Sequence, residues 1–123
     1  MAWMMNEMLG RFVLAAQMRS DQHRALLRSM SRGDALLALA ISEPGAGAHP
    51  KHLSCRALRD GDNWTIDGRK AYVSNGAAAD AFVVLAVSGE VDGRKRFDAF
   101  VIDADAPGLT REPDGKVSGL EPL

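Results

Sequence analysis

The chain has 123 residues, 46% of them hydrophobic and 25% charged, and its 15 Lys and Arg against 16 Asp and Glu leave a net charge of −1. At about 150 residues per domain this is one domain's worth of chain, too apolar for a disordered segment and without the basic excess of a nucleic-acid binder. The single cysteine, Cys55, forms no internal disulfide, and the longest apolar runs, 35–41 and 81–87, fall far short of the ~20 residues that span a bilayer.

The first third reads as helix. Met1, Met4, Met5 and Met8 make the start apolar, but no basic residue precedes them and Asn6, Glu7, Gly10 and Arg11 interrupt the run. It does not read as a signal peptide, and the expected location is cytoplasmic. Leu9, Phe12, Val13 and Ala16 follow the i, i+3, i+4, i+7 spacing that puts side chains on one helix face. Ser20 and Asp21 are N-cap residues for a second helix, Leu26, Leu27 and Met30 give it an apolar side, and Gly33 is its stop. Residues 1–34 carry five arginines against three acids, which reads as solvated helix faces.

From Ala35 the texture changes. Asp-Gly occurs at 60–61, 67–68, 92–93 and 114–115, and this dipeptide favours turns with positive φ. Between the turns lie short runs rich in Val, Ile, Phe, Trp and Tyr. The pattern predicts strands near 36–42, 53–59, 63–67, 69–75, 81–88, 96–103 and 108–112. The expected fold is mainly β: a small antiparallel β-barrel or sandwich preceded by N-terminal helices.

Three segments carry possible chemistry. The loop Ser42-Glu43-Pro44-Gly45-Ala46-Gly47-Ala48 follows an apolar strand; its glycines allow a sharp turn with free N–H groups, suited to phosphate oxygens or simply to an ordinary turn. It lacks the Gly-Lys-Ser/Thr of a P-loop and the third glycine of a dinucleotide fingerprint. His49, His52 and Cys55 are three residues apart, but Pro50 and the switch from loop to strand argue against a shared metal, and none is expected. No Gly-x-Ser-x-Gly elbow supports a serine triad. In 68–76, Tyr72 and Ser74 share a face of the predicted strand. A ring and a hydroxyl side by side suit a planar heterocycle, or are a packed tyrosine and an incidental serine.

Taken in order, Leu39-Ala40-Ile41-Ser42-Glu43-Pro44-Gly45-Ala46-Gly47, then 60–76 ending in Lys70-Ala71-Tyr72-Val73-Ser74-Asn75-Gly76, then Asp105-Ala106-Pro107-Gly108-Leu109, resemble the middle domain of the acyl-CoA dehydrogenase family. The resemblance implies that residues 1–34 are a helical lead-in, a remnant of the N-terminal helical domain. Residues 35–123 are then the middle β-domain, and the C-terminal helical domain lies outside the chain. It implies an FAD cofactor. Ala40, Ile41 and Ser42 would present backbone groups and a hydroxyl to the flavin pyrimidine edge. Tyr72, Val73 and Ser74 would supply an aromatic against the ring system and a hydroxyl near N5. Gly47 and Ala48 belong to the loop that holds the pyrophosphate, where the family's serine is replaced by Ala48.

In such enzymes acyl-CoA becomes 2,3-enoyl-CoA, and an electron-transferring flavoprotein is the expected acceptor. The carboxylate base lies in the C-terminal helical domain, so no catalytic residue is expected within residues 1–123 and the isolated chain is expected not to turn over. Glu43 matches a structural position, not the base. A homo-oligomer, or association with helical partner domains, is expected. Two other readings share these features: a non-catalytic β-barrel interaction module or split subunit, and a flavin oxidase or monooxygenase of the same superfamily.

Overall fold

The computed structural model describes residues 11–16 and 20–112. Among these, two helices, α1 (Arg11–Ala16) and α2 (Asp21–Arg32), precede five strands: β1 (Leu37–Ala40), β2 (Arg56–Asp60), β3 (Asn63–Asp67), β4 (Ala81–Val91) and β5 (Arg94–Asp103). The chain is mainly β, as its turn pattern implies. No helix among the described residues is long and apolar enough to cross a membrane.

Helix α2 begins and ends at the residues that its sequence marks. Ser20 is extended, with φ −139° and ψ 162°, and its Oγ accepts from the His23 N–H at 3.2 Å. Gly33 takes the left-handed conformation, φ 78°, and its N–H donates to the Met30 carbonyl at 3.0 Å, while Asp34 N–H reaches Ser29 O at 2.9 Å. These bonds satisfy helix-end groups that have no intrahelical partner. Ser20→Ala is expected to cost about 1 kcal/mol of stability, read as a lower denaturant midpoint.

The strand order is β1-β4-β2-β3, with β5 also on β4. β2 and β3 form an antiparallel hairpin from Arg56↔Asp67 to Asp60↔Asn63, closed at Gly61, φ 60°. β4 and β5 are joined by Asp92 and Gly93, at φ 50° and 71°, the two successive positive values of a type I′ turn. These two Asp-Gly turns do what the dipeptide predicts, whereas Asp67-Gly68 joins β3 to no second strand, with Gly68 at φ 147°. Asp114-Gly115 lies outside the described residues, as do Leu9 and Met1, Met4, Met5 and Met8. β2 also touches β4 in a parallel pairing at Arg56↔Val87, where Val87 N–H donates to Cys55 O at 2.8 Å.

β1 is shorter than the expected 36–42, and β4 and β5 run longer than 81–88 and 96–103; the largest departures are three. β2 starts at Arg56, not residue 53, because the amides of Ser54 and Cys55 bond a carboxylate instead of a neighbouring strand. Residues 69–75 form no strand; Tyr72 and Asn75 have φ 57° and 63°, which breaks an extended chain. Residues 108–112 form none either; Gly108 sits at φ 84° and Leu109 N–H turns back to Ala106 O at 3.1 Å.

The chain divides into two compact units. One holds the described residues up to Leu39, Ser74–Val83 and those from Val101 onward. Its core is Leu14, Met30, Leu37, Ala81 and Val83, with Leu26, Leu27, Ala35, Leu39 and Val101 packed on it. Thus α2 buries its expected side. Of the α1 side chains described, Leu14 is buried and Ala15 and Ala16 are exposed, so of the expected face only Ala16 is seen, and it is exposed. The side chains of Phe12 and Val13 lie outside the description. The other unit holds Ala40–Val73 and Val84–Phe100. There Leu53, Cys55 and Ala57 are buried, and Lys95 Nζ ties β5 to the short turn before β2 through Lys51 O and Leu53 O, at 2.9 and 2.8 Å.

Candidate functional site

The loop after β1 closes on itself through Glu43. Its N–H donates to Gly47 O at 2.9 Å, and its carbonyl accepts from Gly47 and Ala46 at 3.1 and 3.2 Å. Gly45 and Gly47 stand at φ 75° and 55°, values that disfavour any residue with a Cβ. Open space lies on their Cβ side, with nothing within 4 Å. The N–H groups of Gly45 and Ala48 have no partner among the described residues, and both residues are exposed. The loop therefore presents free donors to an open surface.

The side chain of Glu43 points the other way. It is 3% exposed, the one buried charged residue among those described. Oε2 accepts from Ser54 N–H at 2.7 Å and Ser54 Oγ at 2.8 Å; Oε1 accepts from Cys55 N–H and Lys70 Nζ, both at 2.9 Å. Burial pushes its pKa up, but Lys70, the Ser54 and Cys55 amides and the Ser54 hydroxyl outweigh it and hold the carboxyl down at about 2. Glu43 is thus an ionised strut, and the four donors leave it no role as a proton acceptor.

Lys70 extends the link. Its Nζ also donates to Ile41 O at 3.0 Å, and next to it Ala71 N–H donates to Ser42 O at 2.8 Å. The segments 41–43 and 70–71, far apart in sequence, are joined side by side by backbone and ion pair together.

Of the expected site residues, Ala40 is buried, Ile41 and Ser42 are half-buried, and Gly47 and Ala48 lie exposed on the loop. Tyr72 is 72% exposed, Val73 half-buried. Ser74 is exposed and opens the segment that belongs to the other unit. The two-residue period that put Tyr72 and Ser74 on one face is gone with the strand. A large residue at positive φ is uncommon, and such strain gathers at ligand clamps and active sites.

Sequence reasoning missed Lys70 as the partner of Glu43. The only signal was a lone glutamate in a glycine loop; nothing local says which lysine returns to it. It placed Gly68 only in a turn and missed that, at φ 147°, it lies directly against Cys55. Cys55 is 2% exposed and burial pushes its thiol pKa up, so it is an unreactive packing group. His49 and His52 are exposed with ring centroids 4.9 Å apart, and the buried Cys55 does not join them.

Comparison with known proteins places this geometry. Residues 38–123 match the acyl-CoA dehydrogenase middle domain. The chain is 39% identical over 88 residues to a cyclohex-1-ene-1-carbonyl-CoA dehydrogenase of Geobacter metallireducens, covering 72% of this chain and 23% of the relative. A solved steroid ACAD variant superposes with TM-score 0.83 at 28% identity, over 94% of this chain and 30% of that one. A Mycobacterium smegmatis glutaryl-CoA dehydrogenase in complex with FADH2 superposes with TM-score 0.71 at 29% identity, over 83% and 25%. The chain spans about a quarter of the length of the curated relatives it matches, 22–24%. Over residues 38–123, the stretch that holds the glycine loop and its buried glutamate, this chain belongs to the acyl-CoA dehydrogenase family through its middle domain.

Proposed function

We propose that residues 40–48 and 70–73 hold one side of an FAD cofactor, in a protein that oxidises acyl-CoA to 2,3-enoyl-CoA and passes electrons to an electron-transferring flavoprotein. The observation that carries this reading is the pairing of an open donor loop with an exposed aromatic. The free N–H groups of Gly45 and Ala48 lie on a loop with open space beside Gly45 and Gly47, and Tyr72 is 72% exposed at φ 57°, one residue from the bond that fixes Ala71 to Ser42. These groups fit an anionic tail and a planar ring.

When bound, the cofactor accepts a hydride from the substrate. The chain's part is to bind and orient it. The loop amides donate to phosphate oxygens, which needs no side chain and so tolerates Ala48. The Ser42 hydroxyl and the backbone N–H groups at 41–42 would be the donors that stabilise negative charge at the ring edge without rearranging. Tyr72 lends its ring as a stacking face.

Titration of the chain with FAD, followed by flavin fluorescence, tests this reading. Tyr72→Gly removes the ring and relieves the positive φ, so the thermal midpoint is expected to hold or rise while affinity falls roughly tenfold. A folded wild-type chain with no affinity for FAD, or a Tyr72→Gly variant with full affinity, overturns it.

A further inference from the structure

The Lys70–Glu43 pair is nearly dry: the side chains are 9% and 4% exposed and 2.9 Å apart. Two apolar side chains of similar volume hold a buried corner as well as an ion pair or better, so stability alone is a weak account of it. An ion pair adds direction. Apolar packing leaves a segment free to slide by fractions of an ångström; an ammonium shared between two oxygens does not.

The two oxygens are what matter here. Lys70 Nζ holds Ile41 O at 3.0 Å and Glu43 Oε1 at 2.9 Å. Glu43 in turn is held by Ser54 and Cys55, and its own backbone closes the glycine loop on Gly47. One side chain therefore fixes both ends of the 41–43 stretch relative to residue 70. Besides this, the 41–43 and 70–73 segments share the Ala71 N–H to Ser42 O bond at 2.8 Å. One bond is a pivot; three bonds fix an orientation. The residues so oriented are Ile41 and Ser42 on one side and Tyr72 on the other.

We infer that Lys70 and Glu43 are the positioning pair of the flavin site: their charged contact sets Ile41–Ser42 and Tyr72 at the spacing that the cofactor requires, beyond any contribution to folding. This rests on the reading of the site as a flavin site. Each would act through the backbone it holds.

The test separates positioning from stability. Lys70→Met alone leaves Glu43 buried with its bonds from Ser54 and Cys55. The double variant Lys70→Met with Glu43→Gln removes both charges together, so no buried charge is left unpaired. In the full chain the thermal midpoint of the double variant is expected to recover part of what Lys70→Met loses, the rest going to the one amide of Ser54 or Cys55 that the Gln NH2 cannot accept from. Its FAD affinity is expected to stay roughly tenfold below wild type, with a changed visible circular dichroism of the bound flavin, because nothing now ties residue 70 to Ile41 O. If affinity and dichroism return together with the thermal midpoint, the pair is structural only and the inference is overturned. Lys70→Arg, which keeps the charge in a longer, planar group, is expected to stay folded and still bind FAD several-fold more weakly; full affinity there overturns the inference as well. A wild-type chain that does not bind FAD overturns both this inference and the function it rests on, whereas wild-type binding that both variants match overturns the inference alone.

Discussion

Glu43→Ala is expected to remove about 4 kcal/mol of stability, in the range typical for breaking one partner of a buried ion pair. The loss has two sources. The Lys70 ammonium keeps its place near Ile41 O with no counter-charge, 9% exposed. The amides of Ser54 and Cys55 lose their acceptor, and a buried N–H without a partner costs on the order of 1–3 kcal/mol. A domain of this size is stable by only about 5–15 kcal/mol in total, so the variant unfolds at markedly lower urea. Glu43→Gln keeps one oxygen but turns an amide NH2 toward either the Ser54 or the Cys55 N–H, so it loses one acceptor as well as the charge, and its midpoint falls between wild type and Glu43→Ala. A Glu43→Ala loss below about 1 kcal/mol contradicts this account, because that is the value of an exposed pair.

The same carboxylate gives the fold an acid limit. Its pKa falls from 4.5 to about 2 on folding, so the folded state binds fewer protons than the unfolded chain between those values. A group with a depressed folded pKa contributes in full above its unfolded value and loses that contribution as pH falls toward the folded value. Here the contribution is about 3 kcal/mol, complete above pH 4.5 and lost progressively toward pH 2. Stability measured across that window falls steeply in wild type and more shallowly in Glu43→Gln.

What could be read in the sequence was what is encoded within a few residues. Ser20 and Gly33 bound α2 because a cap needs only a hydroxyl and a flexible residue at its two ends. Asp60-Gly61 and Asp92-Gly93 turn the chain because left-handed φ is a local preference. β3 spans 63–67 as its alternation indicates. The failures are long-range. Lys70 sits where a strand pattern expects a surface residue, yet its ammonium is drawn 27 positions back to Glu43 and 29 back to Ile41. That pull, with φ 57° at Tyr72, leaves no extended chain for the predicted strand at 69–75. The predicted strand at 108–112 loses similarly: Arg111 reaches Ala77 O at 2.7 Å and Ala104 O at 3.4 Å, bonds that no neighbour of Arg111 foretells. The glycine loop and Ser42 were visible because the motif that holds them is contiguous. The device that fixes the loop to Tyr72 was not, because its parts come from three separate stretches.

Gly68→Ala is expected to cost at least about 3 kcal/mol, more than its exposed position suggests. Two effects coincide. Gly68 stands at φ 147°, where a residue with a Cβ is strained, and a Cβ there comes within 2.7 Å of the Cys55 α-carbon, 2.8 Å of its Cβ and 2.9 Å of its Sγ. The nearest atom is backbone, in a segment whose amide bonds Glu43 and whose carbonyl accepts from Val87, so it cannot yield. The strain instead moves 68–70, which carries Lys70 away from Glu43. Cys55 should then open to thiol reagents under native conditions, an easy readout beside the thermal midpoint. Trimming the neighbour with Cys55→Gly in the same chain relieves the clash with the side-chain atoms but leaves the backbone atom in place, so it is expected to restore little. Full rescue by Cys55→Gly would mean that the side chain, not the backbone, sets the limit. Gly45→Ala is the control: its φ of 75° is also unfavourable, but nothing lies within 4 Å of the added carbon. It is expected to lose only the conformational part, about 1 kcal/mol, which leaves the close approach to Cys55 as the reason for the difference.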